Sequence, residues 1–186
     1  AGHLIANHSD SHPDLDKISA EDYWSDVLKA NQILKDIPTF RKWFRFPFLH
    51  EGRTVEKRDF IRTKMSNAAY LNGYVTVDNA DWYIDDLVQR KKNEGFFVDI
   101  AKLKKLYVSM IIDSIEFYDS LAVQVIGRSP KHVLLLHEND LAALYIKDLI
   151  EALQAKGWKI ISPDSAYEDP ISKIEPDTLV LNQGRV

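Results

Sequence analysis

Four short segments of this chain combine residue types and spacings that can do chemistry. The first is His8-Ser9-Asp10-Ser11-His12-Pro13. Histidines four positions apart meet on one side of a helical turn, or of a tight loop closed by proline. Both imidazoles can then face one cation at the ~2.0–2.1 Å of a zinc–nitrogen bond. The small polar residues between them argue against a core helix face, which leaves a surface coincidence as the competing reading. On a helical turn, Asp10 would sit ~200° from residue 8, away from the side the histidines share. The second segment is His137-Glu138-Asn139-Asp140, after the apolar run Val133-Leu134-Leu135-Leu136. A histidine at the end of a buried strand can act as a general acid, because its pKa lies close to neutrality and is easily tuned. The alternative is a helix-start histidine beside its N-cap, Asn139 or Asp140.

Asp78-Asn79-Ala80-Asp81-Trp82 is the third segment. Two carboxylates and an indole at a strand-to-helix junction could orient a cation or a histidine and wall a sugar site. Plain N-capping by Asp78 or Asn79, with Trp82 in the core, is the competing reading and is compatible with function. In the fourth, Arg45-Phe46-Pro47-Phe48, an arginine stands among aromatic residues. It is costly to bury unpaired and should meet a carboxylate. Pro47 then fixes the direction of the loop that follows.

The elements that must position these residues alternate along the chain. Residues 3–7 read as a short strand. Ser19 and Asp22 form a capping box that opens a helix to about residue 36, with Tyr23, Val27, Ala30, Ile33 and Leu34 on one face. Residues 43–48 read as a strand and 54–70 as a helix ended by Asn72-Gly73. Residues 74–77 read as a β-branched strand. Helices are expected over 80–93, 97–126 and 139–156. Val133–Leu136 reads as a strand buried on both faces, and residues 158–161 as the last strand. Alternation of this kind means βα units and a parallel sheet or barrel. In such folds the functional residues lie at the C-terminal ends of strands, where His8, Arg45, Asp78 and His137 all fall.

Composition narrows the field. The chain has 186 residues, 45% of them hydrophobic, enough for a real core and of a length for one domain. Its net charge is −4 and no basic stripe stands out, so a nucleic-acid groove is not indicated. With no cysteine, a bound metal would need His, Asp or Glu. No run approaches the ~18 apolar residues of a membrane span, and no signal-peptide pattern is present. The opening residues read as the inside of a structured element, which suggests that the natural N-terminus lies upstream.

The four segments, in this order, resemble the NodB-homology domain of the polysaccharide deacetylases, carbohydrate esterase family 4. Its second motif, H-[ST]-x-x-H-P, is matched by His8, Ser9, His12 and Pro13. Its third, R-x-P-[YF], is matched by Arg45, Pro47 and Phe48. Its fourth, D-x-x-D-W, is matched by Asp78, Asp81 and Trp82, and its fifth, L-x-H-[DE], by Leu135, His137 and Glu138. The resemblance implies an α/β fold, a distorted (β/α) barrel. It also implies hydrolysis of acetyl groups, usually N-acetyl, on an amino-sugar polymer or oligosaccharide. By that resemblance His8 and His12 would bind Zn²⁺ or another divalent ion. His137 would protonate the leaving amine with Asp81 holding it, and Arg45 would orient the catalytic base. The backbone beside Pro47 and Phe48 would meet the oxyanion, and Trp82 and Leu135 would line the acetyl pocket. Periplasmic or secreted localisation is also implied.

The family's first motif, T-F-D-D, supplies a third metal ligand and the general base from the first strand, and no segment here matches it. The expectation is therefore one catalytic domain over residues 1–186, incomplete at its N-terminus and lacking its first strands. A helical insertion is expected around residues 83–127. The 186 residues alone should have little activity. Two other readings fit the same residues: a catalytically inactive, carbohydrate-binding member of the fold, and a related metal-dependent amide hydrolase.

Overall fold

The computed structural model of the protein describes residues 2–179 and 184–185. The chain forms two compact units. The first comprises Ala1–Tyr74 with Pro170–Arg185, and the second Val75–Asp169.

In the first unit, β1 (Ile5–Asn7), β2 (Phe40–Phe44) and β3 (Leu71–Asn72) make a parallel sheet in the order β1-β2-β3. Helix α1 (Ala20–Leu34) connects β1 to β2, and α2 (Val55–Asn67) connects β2 to β3. Ser19 caps α1, its side chain accepting from the Asp22 N–H. Tyr23, Val27 and Ala30 recur at helical spacing and are buried, Tyr23 and Val27 in one core with Phe44, Phe46, Ile61, Met65 and Tyr70. Ile33, expected on the same face, is instead 67% exposed, one residue before the end of α1.

Three further boundaries differ from the sequence reading. The second strand covers 40–44 rather than 43–48. Pro47 opens a single 3-10 turn, Pro47–Leu49, in which Phe48 and Leu49 take left-handed φ of 57° and 55°, so the strand cannot continue. Helix α2 ends at Asn67, with Ala69 left-handed, and Asn72-Gly73 therefore terminates a strand and not that helix. Gly73 is needed for close approach: a Cβ there would stand 3.1 Å from the Phe44 carbonyl carbon and oxygen.

The second unit is mostly helical, with α3 (Asp81–Asn93), α4 (Ile100–Ile126), α5 (Asp140–Ala155) and the short α6 (Pro163–Tyr167). Leu103, Tyr107, Ile111 and Ile115 of α4 form one core with Leu141, Tyr145, Leu149 and Leu153 of α5. Gly127, at φ 76°, closes α4 in the left-handed conformation that favours glycine. The three strands expected here are not formed. Residues 74–77 and 133–136 meet in a single parallel bridge, Val77 to Leu134. Val133–Leu136 is half-buried, not enclosed on both faces. Residues 158–161 form no strand, and Ile160 and Ile161 are 58% and 43% exposed. The architecture is thus mixed α/β with a small parallel sheet, and no closed barrel is formed among the described residues. No described helix is long and apolar enough to cross a membrane.

Candidate functional site

His8 follows directly on β1, whose last residue, Asn7, is fully buried. The Asn7 amide donates to the Val27 carbonyl and the Tyr70 hydroxyl at 3.0 Å, while its carbonyl oxygen accepts from Ser9 N–H at 2.8 Å. The chain then turns sharply. Ser9 and His12 take φ of 71° and 55°, a conformation that costs a non-glycine residue on the order of 1–3 kcal/mol. Asp26 of α1 offsets that cost. Its Oδ2 accepts from Asp10 N–H at 2.9 Å and Ser11 N–H at 3.0 Å, and its Oδ1 from the Ser11 hydroxyl at 2.8 Å. The Ser9 hydroxyl accepts from His12 N–H. Burial pushes the Asp26 carboxyl up, but these donors outweigh it and hold the group below the usual carboxylate range.

The product of this loop is a pair of adjacent imidazoles. The His8 and His12 rings lie 4.9 Å apart between centroids, edge to face. Of the two geometries open to them, the tight loop is the one formed, so the angular position of Asp10 on a helical turn does not apply. His8 Nδ1 stands 2.8 Å from the Arg45 carbonyl oxygen. That oxygen can only accept, so Nδ1 carries the proton and the neutral ring keeps its lone pair on Nε2, the arrangement of a metal-ligating histidine. The donor set therefore fits two ligands of a divalent cation. Asp26→Ala should free the loop's three donors and lower affinity for Zn²⁺ roughly 10–100-fold, as losing an outer-sphere support does. Calorimetric titration checks this, and unchanged affinity in a folded variant would count against the support role.

Arg45, expected to meet a carboxylate, donates its Nε–H to the Gly73 carbonyl at 2.9 Å. Pro47 is buried, and the half-exposed Phe48 ring packs edge-on to His12 at 4.7 Å. Sequence reading overlooked a second group beside these residues. Asp14, Asp16 and His50 place one ligand atom each within 4.8 Å of one another, the one such three-residue group among the described residues. His50 Nδ1 is 2.8 Å from Asp14 Oδ1 and 3.4 Å from Asp16 Oδ2. The two carboxylates are also held by Lys17 at 3.4 Å and by Arg53 Nε at 3.0 Å. Lys57 adds bonds to the carbonyls of Leu15 and Ile18 at 2.8 and 2.7 Å. With both carboxylates already facing cationic side chains, the group is better suited to pinning residues 14–18 than to receiving an ion. The sequence signal was His50 itself, in the loop after Phe48.

In the second unit, Asp81 opens α3 and is fully buried. Its Oδ1 lies 2.7 Å from His137 Nδ1, its Oδ2 accepts from His137 N–H at 2.7 Å, and the Asn139 amide approaches at 3.2 Å. Burial would raise the Asp81 carboxyl, yet the bonds from His137 hold it below the usual range. Asn139 is the N-cap of α5. Neither suggested cap takes the N-cap position of α3, which falls to Ala80, but Asn79 accepts from Asp81 N–H at 2.9 Å just before it. Asp78 accepts from Asn79 N–H, and burial pushes its carboxyl up. Trp82 is 54% exposed and not a core residue. Leu135 is half-buried, its carbonyl accepting from the Asn79 amide at 2.6 Å.

Comparison with known proteins bears on the first unit. Residues 1–61 match the family model described as polysaccharide deacetylase. That stretch contains His8, His12, Arg45, Pro47 and Phe48, while Asp81, Trp82, Leu135 and His137 lie outside it. A peptidoglycan-N-acetylglucosamine deacetylase from Bacillus cereus is 29% identical over 82 residues, covering 44% of this chain and 28% of that protein. The match thus spans under a third of the relative's length. No solved structure matches the chain. Residues 1–61 are thus similar to polysaccharide deacetylases.

Proposed function

We propose that this protein hydrolyses acetyl groups on a polysaccharide, N-acetyl groups of an amino-sugar polymer in particular, with a divalent cation on His8 and His12. The observation that carries the reading is the imidazole pair itself, with His8 turned by the Arg45 carbonyl so that its lone pair lies on Nε2, inside the residues that match the deacetylase family. The cation, Zn²⁺ by the resemblance, supplies Lewis acidity toward the acetyl carbonyl and makes water a usable nucleophile near neutral pH. The chain's own residues do the rest. Arg45 fixes His8 through its carbonyl and, in this proposal, orients the catalytic base, while Pro47 and Phe48 shape the wall beside His12. His137, held through Nδ1 by Asp81, presents its Nε2 side as the proton donor to the leaving amine. Trp82, exposed at the start of α3, offers an apolar face of the kind on which sugar rings pack, and Leu135 would face the acetyl group.

The distorted barrel belongs to the same proposal, supported by the parallel pairing of β1, β2 and β3 and by the parallel Val77–Leu134 bridge. So does action outside the cytoplasm, in the periplasm or after secretion, where polymers such as the relative's peptidoglycan are found. Little activity is proposed for the 186 residues by themselves. Among the described residues His8 and His12 are joined by no third ligand in a group that could share an ion. The test is acetate release from N-acetylglucosamine oligomers with Zn²⁺ present. It compares the 186-residue chain with the same chain joined to a T-F-D-D segment of the kind the resemblance implies. Release by the extended chain, abolished by a chelator and by His137→Ala, is the expected result. No release from any acetylated sugar by an extended chain that holds zinc would overturn the reading, and release from small amides alone would replace it with an amide hydrolase.

A further inference from the structure

The segments that carry Asp81 and His137 are joined by almost no sheet. One bridge, Val77 to Leu134, stands where a parallel ladder was expected, with backbone bonds from Thr76 and Val77 to the Val133 carbonyl and from Leu135 to that of Val77. A one-residue slip in so short a pairing would reverse the side to which each residue points. Something other than a ladder must fix the register.

His132 is placed to do so. Its side chain is 7% exposed, and its ring meets Trp158 edge-on at 5.8 Å. Its Nε2 is 3.0 Å from Asp119 Oδ1 on α4, and its Nδ1 is 2.9 Å from the Thr76 hydroxyl. A carboxylate only accepts, so Nε2 carries a proton, and when the ring is neutral its Nδ1 accepts from the Thr76 O–H, whose weaker alternative acceptor is the Val133 carbonyl at 3.5 Å. The Thr76 oxygen in turn accepts from Val133 N–H at 2.8 Å. Every polar atom of the chain Val133–Thr76–His132–Asp119 thus has a partner of the right kind. A hydroxyl, an imidazole and a carboxylate in line have the composition of an activated nucleophile. Thr76, however, is fully buried and its oxygen already receives the Val133 N–H, so no electrophile can reach it. The group holds structure.

What it holds is defined by spacing. Thr76 precedes Asp81 by the same number of residues as His132 precedes His137. One segment pair is therefore pinned twice, by Thr76–His132 at one end and by Asp81–His137 at the other, with Asn79 bonded to the Leu135 carbonyl between them. We propose that His132 is a positioning residue. It locks residues 132–137 in register against residues 76–81 and so delivers the His137 ring to the Asp81 carboxylate. The proposal rests on the acid role given to His137 above, but its test needs no turnover.

The readout is the imidazole Nδ1 proton of His137, which a short bond to a buried carboxylate shifts downfield and shields from exchange. It is followed by proton–nitrogen NMR in the whole chain and in Thr76→Val, Thr76→Ser and Asp119→Ala. The expected result is a downfield proton in the parent and in Thr76→Ser. In Thr76→Val it should be lost or moved upfield, and Asp119→Ala should shift it in the same direction by less. If Thr76→Val does not fold, Asp119→Ala decides, because Asp119 is partly exposed and bonds the His132 ring directly. Folded variants with the parent's His137 signal would overturn the proposal. So would a Thr76→Ser signal displaced as far as that of Thr76→Val, which would assign the effect to the methyl group. A parent without the downfield proton would overturn it as well, since there would be no bond to position. An extended chain that holds zinc and passes this test yet deacetylates nothing would refute the enzyme reading and leave the latch standing.

Discussion

On the proposed reading, replacing His8 or His12 by alanine is expected to abolish one-to-one binding of Zn²⁺ to the 186-residue chain, while His50→Ala should leave it nearly unchanged. This is the result expected in a calorimetric titration of the three variants. Losing an outer-sphere partner costs a metal site roughly 10–100-fold in affinity, and losing one of two protein ligands must cost more. The contrast with His50 separates two places a cation could go. His8 and His12 form a pair whose loop is wound into two left-handed residues and held by Asn7, Ser9 and Asp26. Asp14, Asp16 and His50 already exchange bonds with Lys17 and Arg53, so an ion entering there would have to displace a proton and compete with two cationic side chains. Zinc binding that survives in both His8→Ala and His12→Ala but disappears in His50→Ala would move the metal site to the acidic group and remove the present basis for the deacetylase reading.

What could be read from the sequence divides along the range of the interactions involved. The caps Ser19 and Asn139 and the glycine stop at Gly127 were legible because each acts within a turn of its helix. The buried stripe of α1 was legible as far as Ala30 for the same reason. His8 and His12 were visible as a spacing, and Asp81 with His137 as parts of recognisable motifs. The supports were not visible. Asp26 bonds Asp10 across 16 residues, Asn7 bonds Val27 across 20, and His50 bonds Asp14 across 36, and nothing local marks those partners. Strands failed for a related reason. A parallel strand exists only by virtue of a distant neighbour, so Leu71–Asn72 became one with two residues, while the more apolar Val133–Leu136 formed a single bridge. Apolar periodicity reports that a segment is to be buried; it does not report whether the surface that buries it is a strand or a helix.

On the proposed reading, Asp81→Asn in the extended chain is expected to lower deacetylation by roughly 10²–10⁴-fold, the usual worth of a positioned acid, while leaving zinc affinity intact. The carboxylate is fully buried and accepts from both the ring and the backbone N–H of His137. An amide in its place keeps one acceptor and turns a donor toward the ring, so His137 loses either its orientation or its charge partner. Stability should fall as well. Breaking a buried ion pair costs about 3–5 kcal/mol, and because the His137 side chain is 45% exposed about 2 kcal/mol is expected here. The pH dependence follows from the direction of the shift. The Asp81 carboxyl lies lower in the folded chain than the ordinary value of about 3.9 in the unfolded one. Its contribution is therefore complete above pH ~4 and disappears as pH falls through the folded value. Urea unfolding of parent and variant should differ by a constant amount from pH 7 to pH 5, and the two curves should converge below pH ~4. A reading of Asp81 as no more than a charge in the first turn of α3 makes a different forecast. The dipole alone is worth about 0.3–1 kcal/mol, and turnover would then be unaffected. Full activity in Asp81→Asn together with a small, pH-independent loss of stability would take Asp81 out of the chemistry and leave it a helix-terminal residue.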